Sequence, residues 1–183
     1  MTMDGMRLYV GIDPSLNRPG LAVLGNTGQT LIAAAFSVGR YTKGAARLHQ
    51  NASWMVATIQ GLQMDVARVC IEGPSLGSTH REFDLGEASG ALKAAIYTYS
   101  SVEPVVVEPL RLKKFATGKP QATKEEVIHA VKAVGGPDLG DDDDAADAYM
   151  LARLAWAFDN KASLTRRCEL EVVQSLLETK PAR

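Results

Sequence analysis

The sequence has few of the features that mark several large classes of protein. Only two cysteines occur in 183 residues, Cys70 and Cys168, and their spacing suits neither a metal site nor a disulfide framework. This indicates a reduced, cytosolic setting. No apolar run approaches the ~18 residues that a membrane helix needs, and the N-terminus does not have the form of a secretory signal. We therefore expect no association with a membrane.

Two further absences concern charge and catalysis. The formal net charge is −1, so the overall composition does not indicate binding to a nucleic acid. No Ser/His or Cys/His pair stands out that would support covalent catalysis. Any surface that binds polyanions must therefore come from local clustering of bases. Any hydrolysis must come from another chemistry, such as water activated by a metal ion.

Patterns of apolar residues predict the order of the secondary structure. The segments with a strand pattern are residues 7–13, 20–24, 29–38, 65–72 and 104–108. The segments with a helix pattern are residues 43–63, 85–99, 123–134, 144–158 and 164–177. Three strands joined by turns predict an antiparallel meander, and the later strand–helix–strand units predict parallel pairing.

This order predicts an α/β fold in which a five-stranded mixed sheet is flanked by helices. We expect residues 1–160 to form one domain. Residues 161–183 are expected to be a C-terminal helical extension of the same domain. The chain shows no internal repeat and no low-complexity linker that would divide it further.

Four acidic residues stand where predicted elements end or begin. Asp13 ends the first strand, and Glu72 ends the fourth. Asp144 and Asp147 lie three residues apart in the first turn of a later helix, so they share one face of it. If the first and fourth strands are neighbours, the four carboxylates converge at the carboxyl end of the sheet. Open α/β sheets hold their sites at that end.

Clustered carboxylates repel one another, and a hard divalent cation removes that cost. The cluster therefore predicts a Mg²⁺ or Mn²⁺ site, in which two ions can clamp a phosphodiester. Each acid also has an ordinary structural explanation. Asp13 precedes a proline, as turn residues often do, and the run Asp141–Asp144 can complement a helix dipole. Asp147 is harder to explain in this way because its neighbours are small residues.

A basic stretch without any acid extends over fourteen residues and contains Arg111, Lys113, Lys114, Lys119 and Lys124. Clustered bases are typical of surfaces that contact phosphates, and a solvated loop and helix face explains them about as well. Gly118 and Pro120 predict an exposed loop here. Lys124 falls in the first turn of a predicted helix, where a cation is unfavourable. That mismatch favours a functional role for Lys124.

Five sequence blocks occur along the chain from about residue 7 to residue 158. They are GIDPSLNRPGLAVL, VCIEGP, FDLGEASGALKAAI, VEPLRLKKFATGKPQATKEEVIHAV and DDDDAADAYMLA. In content and in order they resemble the RuvC family of Holliday-junction resolvases, which belongs to the ribonuclease H-like superfamily. The resemblance implies a ribonuclease H-like fold. It also implies a homodimeric, metal-dependent endonuclease that nicks four-way DNA junctions symmetrically.

The resemblance also implies roles for single residues. A catalytic tetrad that holds two Mg²⁺ or Mn²⁺ ions corresponds to Asp13, Glu72, Asp144 and Asp147. Lys124 corresponds to a catalytic lysine next to the scissile phosphate, and Lys113 to a second base that contacts DNA. Where the family often has an aromatic wedge after the catalytic glutamate, this chain offers Leu76, or Phe83 at a greater distance.

Two glycines bear on assembly. Gly86 and Gly90 lie four residues apart in an Ala-rich predicted helix. By analogy with the family, this helix belongs to a twofold dimer interface, and packing against the protein's own sheet explains the glycines equally well. We expect a cytoplasmic, nucleoid-associated protein, and the divergence of the chain is compatible with a phage gene in a bacterial host.

Three other functions remain open at this point. An actin-like or sugar-kinase ATPase shares the opening motif but needs two lobes, for which 183 residues are too few. Another ribonuclease H-like nuclease, acting on flaps, branched DNA or RNA–DNA hybrids, would have the same metal site. A non-catalytic junction-binding protein is the third alternative, and the presence of all four acids argues against it.

Overall fold

The computed structural model describes residues 6–39, 41–73 and 81–178. The strands are β1 (Arg7–Asp13), β2 (Gly20–Leu24), β3 (Thr30–Ala35), β4 (Asp65–Glu72) and β5 (Val105–Val107). The helices are α1 (Gly44–Gln60), α2 (Arg81–Ser100), α3 (Pro109–Thr117), α4 (Lys124–Ala133), α5 (Asp143–Asp159) and α6 (Arg167–Glu178). None of the described helices combines the length and the apolar character needed to cross a membrane.

The five strands form one mixed sheet in the order β3-β2-β1-β4-β5. β1 pairs with β2, and β2 with β3, in antiparallel fashion, whereas β4 is parallel to both β1 and β5. This confirms the predicted mixed sheet flanked by helices. Because β1 and β4 are parallel neighbours, Asp13 and Glu72 reach the same edge of the sheet, which we call the carboxyl edge.

Each face of the sheet has its own core, since side chains alternate along a strand. From β1, Leu8, Val10 and Ile12 pack with α1 and α2 on one face. On the other face Tyr9 packs with the helices α3 to α6. Burial of one large apolar side chain contributes about 1.5–3 kcal/mol, so both cores fix the position of β1. The central strand that ends in Asp13 is therefore anchored by packing on both faces of the sheet.

α5 lies closer to the sheet than any side chain would allow. A Cβ added to Gly11 would stand 2.1 Å from the carbonyl oxygen of Ala148, and one added to Gly20 would stand 2.2 Å from that of Asp144. Gly20 is the register partner of Asp13 across β1 and β2. The two glycines therefore allow the first turn of α5 to meet the carboxyl edge beside Asp13.

The exposed loop predicted at Gly118 and Pro120 is confirmed, because both residues are exposed and lie outside the helices, but a helix that was not predicted precedes it. Residues 109–117 form α3, which begins with Pro109 at its first turn and ends at Gly118 in the left-handed conformation, with φ at 83°. Leu112 and Phe115 are fully buried on its inner face. Gly118 thus ends α3 and begins the exposed loop, because glycine adopts this cap conformation without strain.

α6 packs against α3 through an ionic network. Glu169 is fully buried and accepts hydrogen bonds from Arg153 and Arg166. Arg166 also donates to the carbonyls of Phe115 and Ala116, at the end of α3. Burial tends to raise the pKa of Glu169, but the hydrogen bond from Arg166 and the charge of Arg153 lower it below its usual value. The final helix therefore braces the helix that carries Lys113.

Candidate active site

Asp13 and Glu72 lie side by side at the carboxyl edge. Asp13 is only 8% exposed, and its carboxyl group is in hydrogen-bonding contact with that of Glu72. Burial, together with the charge of Glu72, holds the pKa of Asp13 well above its usual value. Burial and the charge of Asp147 raise the pKa of Glu72 to about 7. The two carboxyl groups therefore resist ionising together.

Asp147 joins this pair from α5. Burial, followed by the charge of Asp143, raises its pKa to about 6. Asp147 in turn raises the pKa values of both Asp13 and Glu72. The three side chains thus form one electrostatic unit, which we call the acidic cluster: Asp13, Glu72 and Asp147.

Asp144 stands at the border of the acidic cluster. Its charge adds to the raised pKa of Asp13, but its carboxylate accepts a hydrogen bond of 2.6 Å from Arg18. Arg18 also donates to both carboxylate oxygens of Asp142, at 2.9 and 2.5 Å. The sequence analysis missed this role of Arg18, because nothing in a turn between two strands indicates a partner 126 residues away.

Within residues 6–39, 41–73 and 81–178, no group of three or more His, Cys, Asp or Glu side chains has a preformed metal-binding geometry. Arg18 binds Asp144, and the carboxyl groups of Asp13 and Glu72 are in hydrogen-bonding contact with each other. The donor set nevertheless fits a hard divalent cation, because carboxylate oxygens are the ligands such ions prefer. A cation would also remove the repulsion that raises the three pKa values.

Two bases of the predicted basic stretch face the acidic cluster. The charges of Lys113 and Lys124 both lower the pKa values of Glu72 and Asp147. Lys124 also forms an ion pair with Asp143, and this hydrogen bond raises the pKa of Lys124. Lys124 begins α4 as predicted, behind a capping box formed by Thr123 and Glu126.

The other three bases have acidic partners on the outside of the molecule. Arg111 pairs with Glu108 at 3.2 Å, Lys114 with Glu171 at 2.9 Å, and Lys119 with Glu126 at 2.7 Å. Exposed pairs of this kind contribute about 0–1 kcal/mol, so a phosphate could displace the acid. Contact of these bases with DNA stays a prediction.

The predictions about junction opening and assembly fall on α2 and on the segment before it. Leu76 lies outside the described residues, whereas Phe83 is 82% exposed on α2. A Cβ added to Gly86 or Gly90 would meet no described atom within 4 Å. Packing against the chain's own sheet therefore does not explain these two glycines, and a role in a dimer stays a prediction.

The chain is similar to a family of known proteins. The model of the family described as Crossover junction endodeoxyribonuclease RuvC matches residues 9–154. RuvC of Rickettsia typhi is 27% identical over 158 residues, which cover 79% of this chain and 94% of the relative. RuvC of Rickettsia conorii is 28% identical over 149 residues with the same coverage.

Solved structures show the same fold. The structure of Thermus thermophilus RuvC has a TM-score of 0.67 at 19% identity and covers 84% of this chain and 96% of its own. The complex of T. thermophilus RuvC with Holliday junction substrate has a TM-score of 0.68 at 19% identity, covering 85% and 94%. The chain has the ribonuclease H-like fold and belongs to the RuvC family.

Proposed function

We propose that this protein is a metal-dependent endonuclease that hydrolyses phosphodiester bonds in four-way (Holliday) DNA junctions and acts as a homodimer. The observation that carries the proposal is the acidic cluster, in which two parallel strands and one helix bring three carboxyl groups together at the carboxyl edge. The curated relatives are named crossover junction endodeoxyribonucleases. T. thermophilus RuvC has been solved with Holliday junction substrate.

The acidic cluster is the proposed metal site. Asp13, Glu72 and Asp147 would hold Mg²⁺ or Mn²⁺, and Asp144 would become a fourth ligand if it left Arg18. Four carboxylates supply enough oxygen ligands for two ions. Such ions activate a water molecule and stabilise the leaving oxygen of a phosphodiester.

The chain's own residues bind and orient the scissile phosphate. The side chain of Lys124 is 70% exposed and stands next to the acidic cluster, so it can exchange Asp143 for a non-bridging phosphate oxygen. Lys113 adds a second positive charge on the same side. The acids would otherwise repel a phosphate strongly, and these two bases reduce that repulsion.

The proposed dimer uses α2. A Cβ added to Gly86 or Gly90 on this helix would have no described atom within 4 Å, and Phe83 and Tyr97 are 82% and 52% exposed. Small residues let a second backbone approach, and exposed aromatics supply apolar contact area. Two symmetrical nicks require two active sites, which a twofold dimer would supply. Sedimentation as a monomer at micromolar concentration would contradict this part of the proposal.

The test of the function is a cleavage assay with labelled four-way junction, duplex, flap and RNA–DNA hybrid, each with Mg²⁺ or Mn²⁺. We expect paired, symmetrical nicks in the junction alone. Asp13→Asn should abolish nicking and keep junction binding, whereas Asp65→Asn, at the opposite end of β4, should cut normally. Equal cutting of flaps or hybrids would favour a nuclease of broader specificity. Binding without any cutting would favour a non-catalytic junction-binding protein.

A further inference from the structure

A second group of bases lies in the first third of the chain. No Asp or Glu occurs from Pro14 to Met64, although this segment contains Arg18, Arg40, Lys43 and Arg47. Arg18 is bound by Asp142 and Asp144. Among the residues that the structure describes, by contrast, the ion pairs with acids do not include Lys43 or Arg47. Their positive charges are therefore not offset by the described part of this chain.

Hydrogen bonds from Arg47 and Asn51 connect α1 to the carboxyl edge. Nη1 of Arg47 donates to Oδ1 of Asn17 at 3.1 Å, in the turn that follows β1. The side-chain amide of Asn51 donates to the carbonyls of Ser15 and of the next residue, at 3.1 and 3.2 Å. Ser15 is two residues beyond Asp13. The first half of α1 is thus tied to the turn that leaves the acidic cluster.

The two groups of bases lie on opposite faces of the sheet. Lys113 and Lys124 are on the side of α5, whereas Lys43 and Arg47 are on the side of α1, whose residues pack with Leu8 and its neighbours. Lys43 is exposed, and α1 has no acid in its first turn. A nucleic-acid strand with a phosphate at the acidic cluster would therefore continue from one positive surface, across the carboxyl edge, to the other.

We propose that Lys43 and Arg47 form a second phosphate-binding surface, which contacts the nucleic-acid backbone on the α1 side of the carboxyl edge. This inference rests on the proposed nuclease function and extends it. Lys114 and Lys119 are partly neutralised by Glu171 and Glu126. Lys43 and Arg47 carry no such pairing in the described structure, so a phosphate need not displace an acid to reach them.

The test measures the salt dependence of junction binding in the Asp13→Asn background, which cannot cut. The logarithm of the binding constant falls linearly as the logarithm of the salt concentration rises. Each lost phosphate contact reduces the magnitude of this slope by about 1. We expect Lys43→Ala and Arg47→Ala each to produce that change and to weaken binding several-fold. Arg47→Lys, which keeps the charge, should retain the parent slope.

Two matched control variants separate the loss of a phosphate-binding charge from a change in local structure. Lys161→Ala removes an exposed base just beyond the far end of α5, about 25 Å from the carboxyl edge at 1.5 Å per residue. Asn17→Ala removes the hydrogen bond to Arg47 and keeps its charge. Both should retain the parent slope.

Parent slopes in Lys43→Ala and Arg47→Ala, or equal losses in Asn17→Ala and Arg47→Ala, would overturn this inference and leave the nuclease intact. If the otherwise unaltered protein neither bound nor cut the junction, the proposed function itself would fail.

Discussion

Arg18 donates a hydrogen bond of 2.6 Å to Asp144, although the two residues are 126 positions apart in the sequence. This contact joins the turn after β1 to the first turn of α5, and so it joins the two segments that carry Asp13 and Asp147. It also gives Asp144 a partner other than a metal ion. The positions of the carboxylates therefore depend on a base that is not one of the proposed ligands.

Replacement of Arg18 by glutamine should lower the free energy of unfolding by about 1 kcal/mol, a modest value because the side chain of Arg18 is 39% exposed. The reason is that Asp142 and Asp144 would lose a shared positive partner near three other acids. Urea unfolding in the absence of divalent ions measures the change. Arg18→Lys should recover part of the loss, and a stability equal to that of the unaltered protein in Arg18→Gln would contradict the structural role of this contact.

The metal-free protein should lose stability as the pH rises from about 4 to 7. The pKa values of Asp13, Glu72 and Asp147 are all raised by burial in the folded state, to about 7 for Glu72 and about 6 for Asp147. The folded protein therefore binds these protons more tightly than the unfolded chain does. The resulting stabilisation is complete below the unfolded pKa values and is lost as the pH rises through the folded ones.

Asp13→Asn should reduce this pH dependence and stabilise the metal-free protein at pH 7.5 by about 1–3 kcal/mol, since it removes one member of a repelling cluster. Unfolding in urea with a chelator, at pH 5 and pH 7.5, checks this. Asp65→Asn serves as the control because Asp65 is exposed at the other end of β4. A metal-free protein that gains stability between these two pH values would contradict the repulsion described for the acidic cluster.

Gly20→Ala should separate α5 from the sheet. Its new Cβ would stand 2.2 Å from the carbonyl oxygen of Asp144, and overpacking of this kind costs about 1–3 kcal/mol. Thermal unfolding should show the loss, and nicking should fall because Asp144 and Asp147 move away from Asp13. Gly61→Ala is the matched control, since its φ is −58° and its Cβ would come no closer than 3.5 Å to the carbonyl oxygens of Ala57 and Thr58. Equal stabilities of the two variants would contradict the close approach of α5.

Lys113→Ala and Lys124→Ala should slow nicking far more than they change stability. Both bases lower the pKa values of Glu72 and Asp147, so both stand near the position proposed for the scissile phosphate. The matched control is Lys132→Ala, which removes an exposed ion pair with Asp138 at the other end of α4. Comparison of nicking rates with thermal unfolding separates the two effects. Unchanged nicking in both variants would remove these lysines from the proposed mechanism.

Much of the fold could be predicted because its strands carry clear local signals. The bounds of β1, β2 and β4 are those that the apolar runs indicate. The convergence of Asp13 and Glu72 followed from a single condition, that the first and fourth strands are neighbours, and the sheet meets it. Gly118 and Pro120 correctly indicated a loop, but the short helix α3 before them was missed because its buried face has few apolar residues among several bases.

Contacts between distant segments could not be predicted in the same way. No local feature of the sequence around Arg18 indicates a contact with Asp144. The glycines that allow the close approach of α5 to the sheet look like ordinary turn or strand residues in the sequence. The acid partners of Lys114 and Lys119 likewise depend on where α6 and α4 pack. Local sequence patterns specify the helices and strands. The packing of these elements decides which basic side chains are paired with an acid and which can bind a phosphate.

The central claim is that Asp13, Glu72 and Asp147 act together on one phosphodiester. Its most direct test is the nicking rate of a four-way junction with Mg²⁺ for Asp13→Asn, Glu72→Gln and Asp147→Asn, beside Asp65→Asn and the unaltered protein. We predict that each of the three cluster variants binds the junction and loses nicking by at least about 100-fold, roughly 3 kcal/mol of transition-state stabilisation, while Asp65→Asn nicks at the normal rate. Nicking at the normal rate by any one of the three cluster variants would contradict the account.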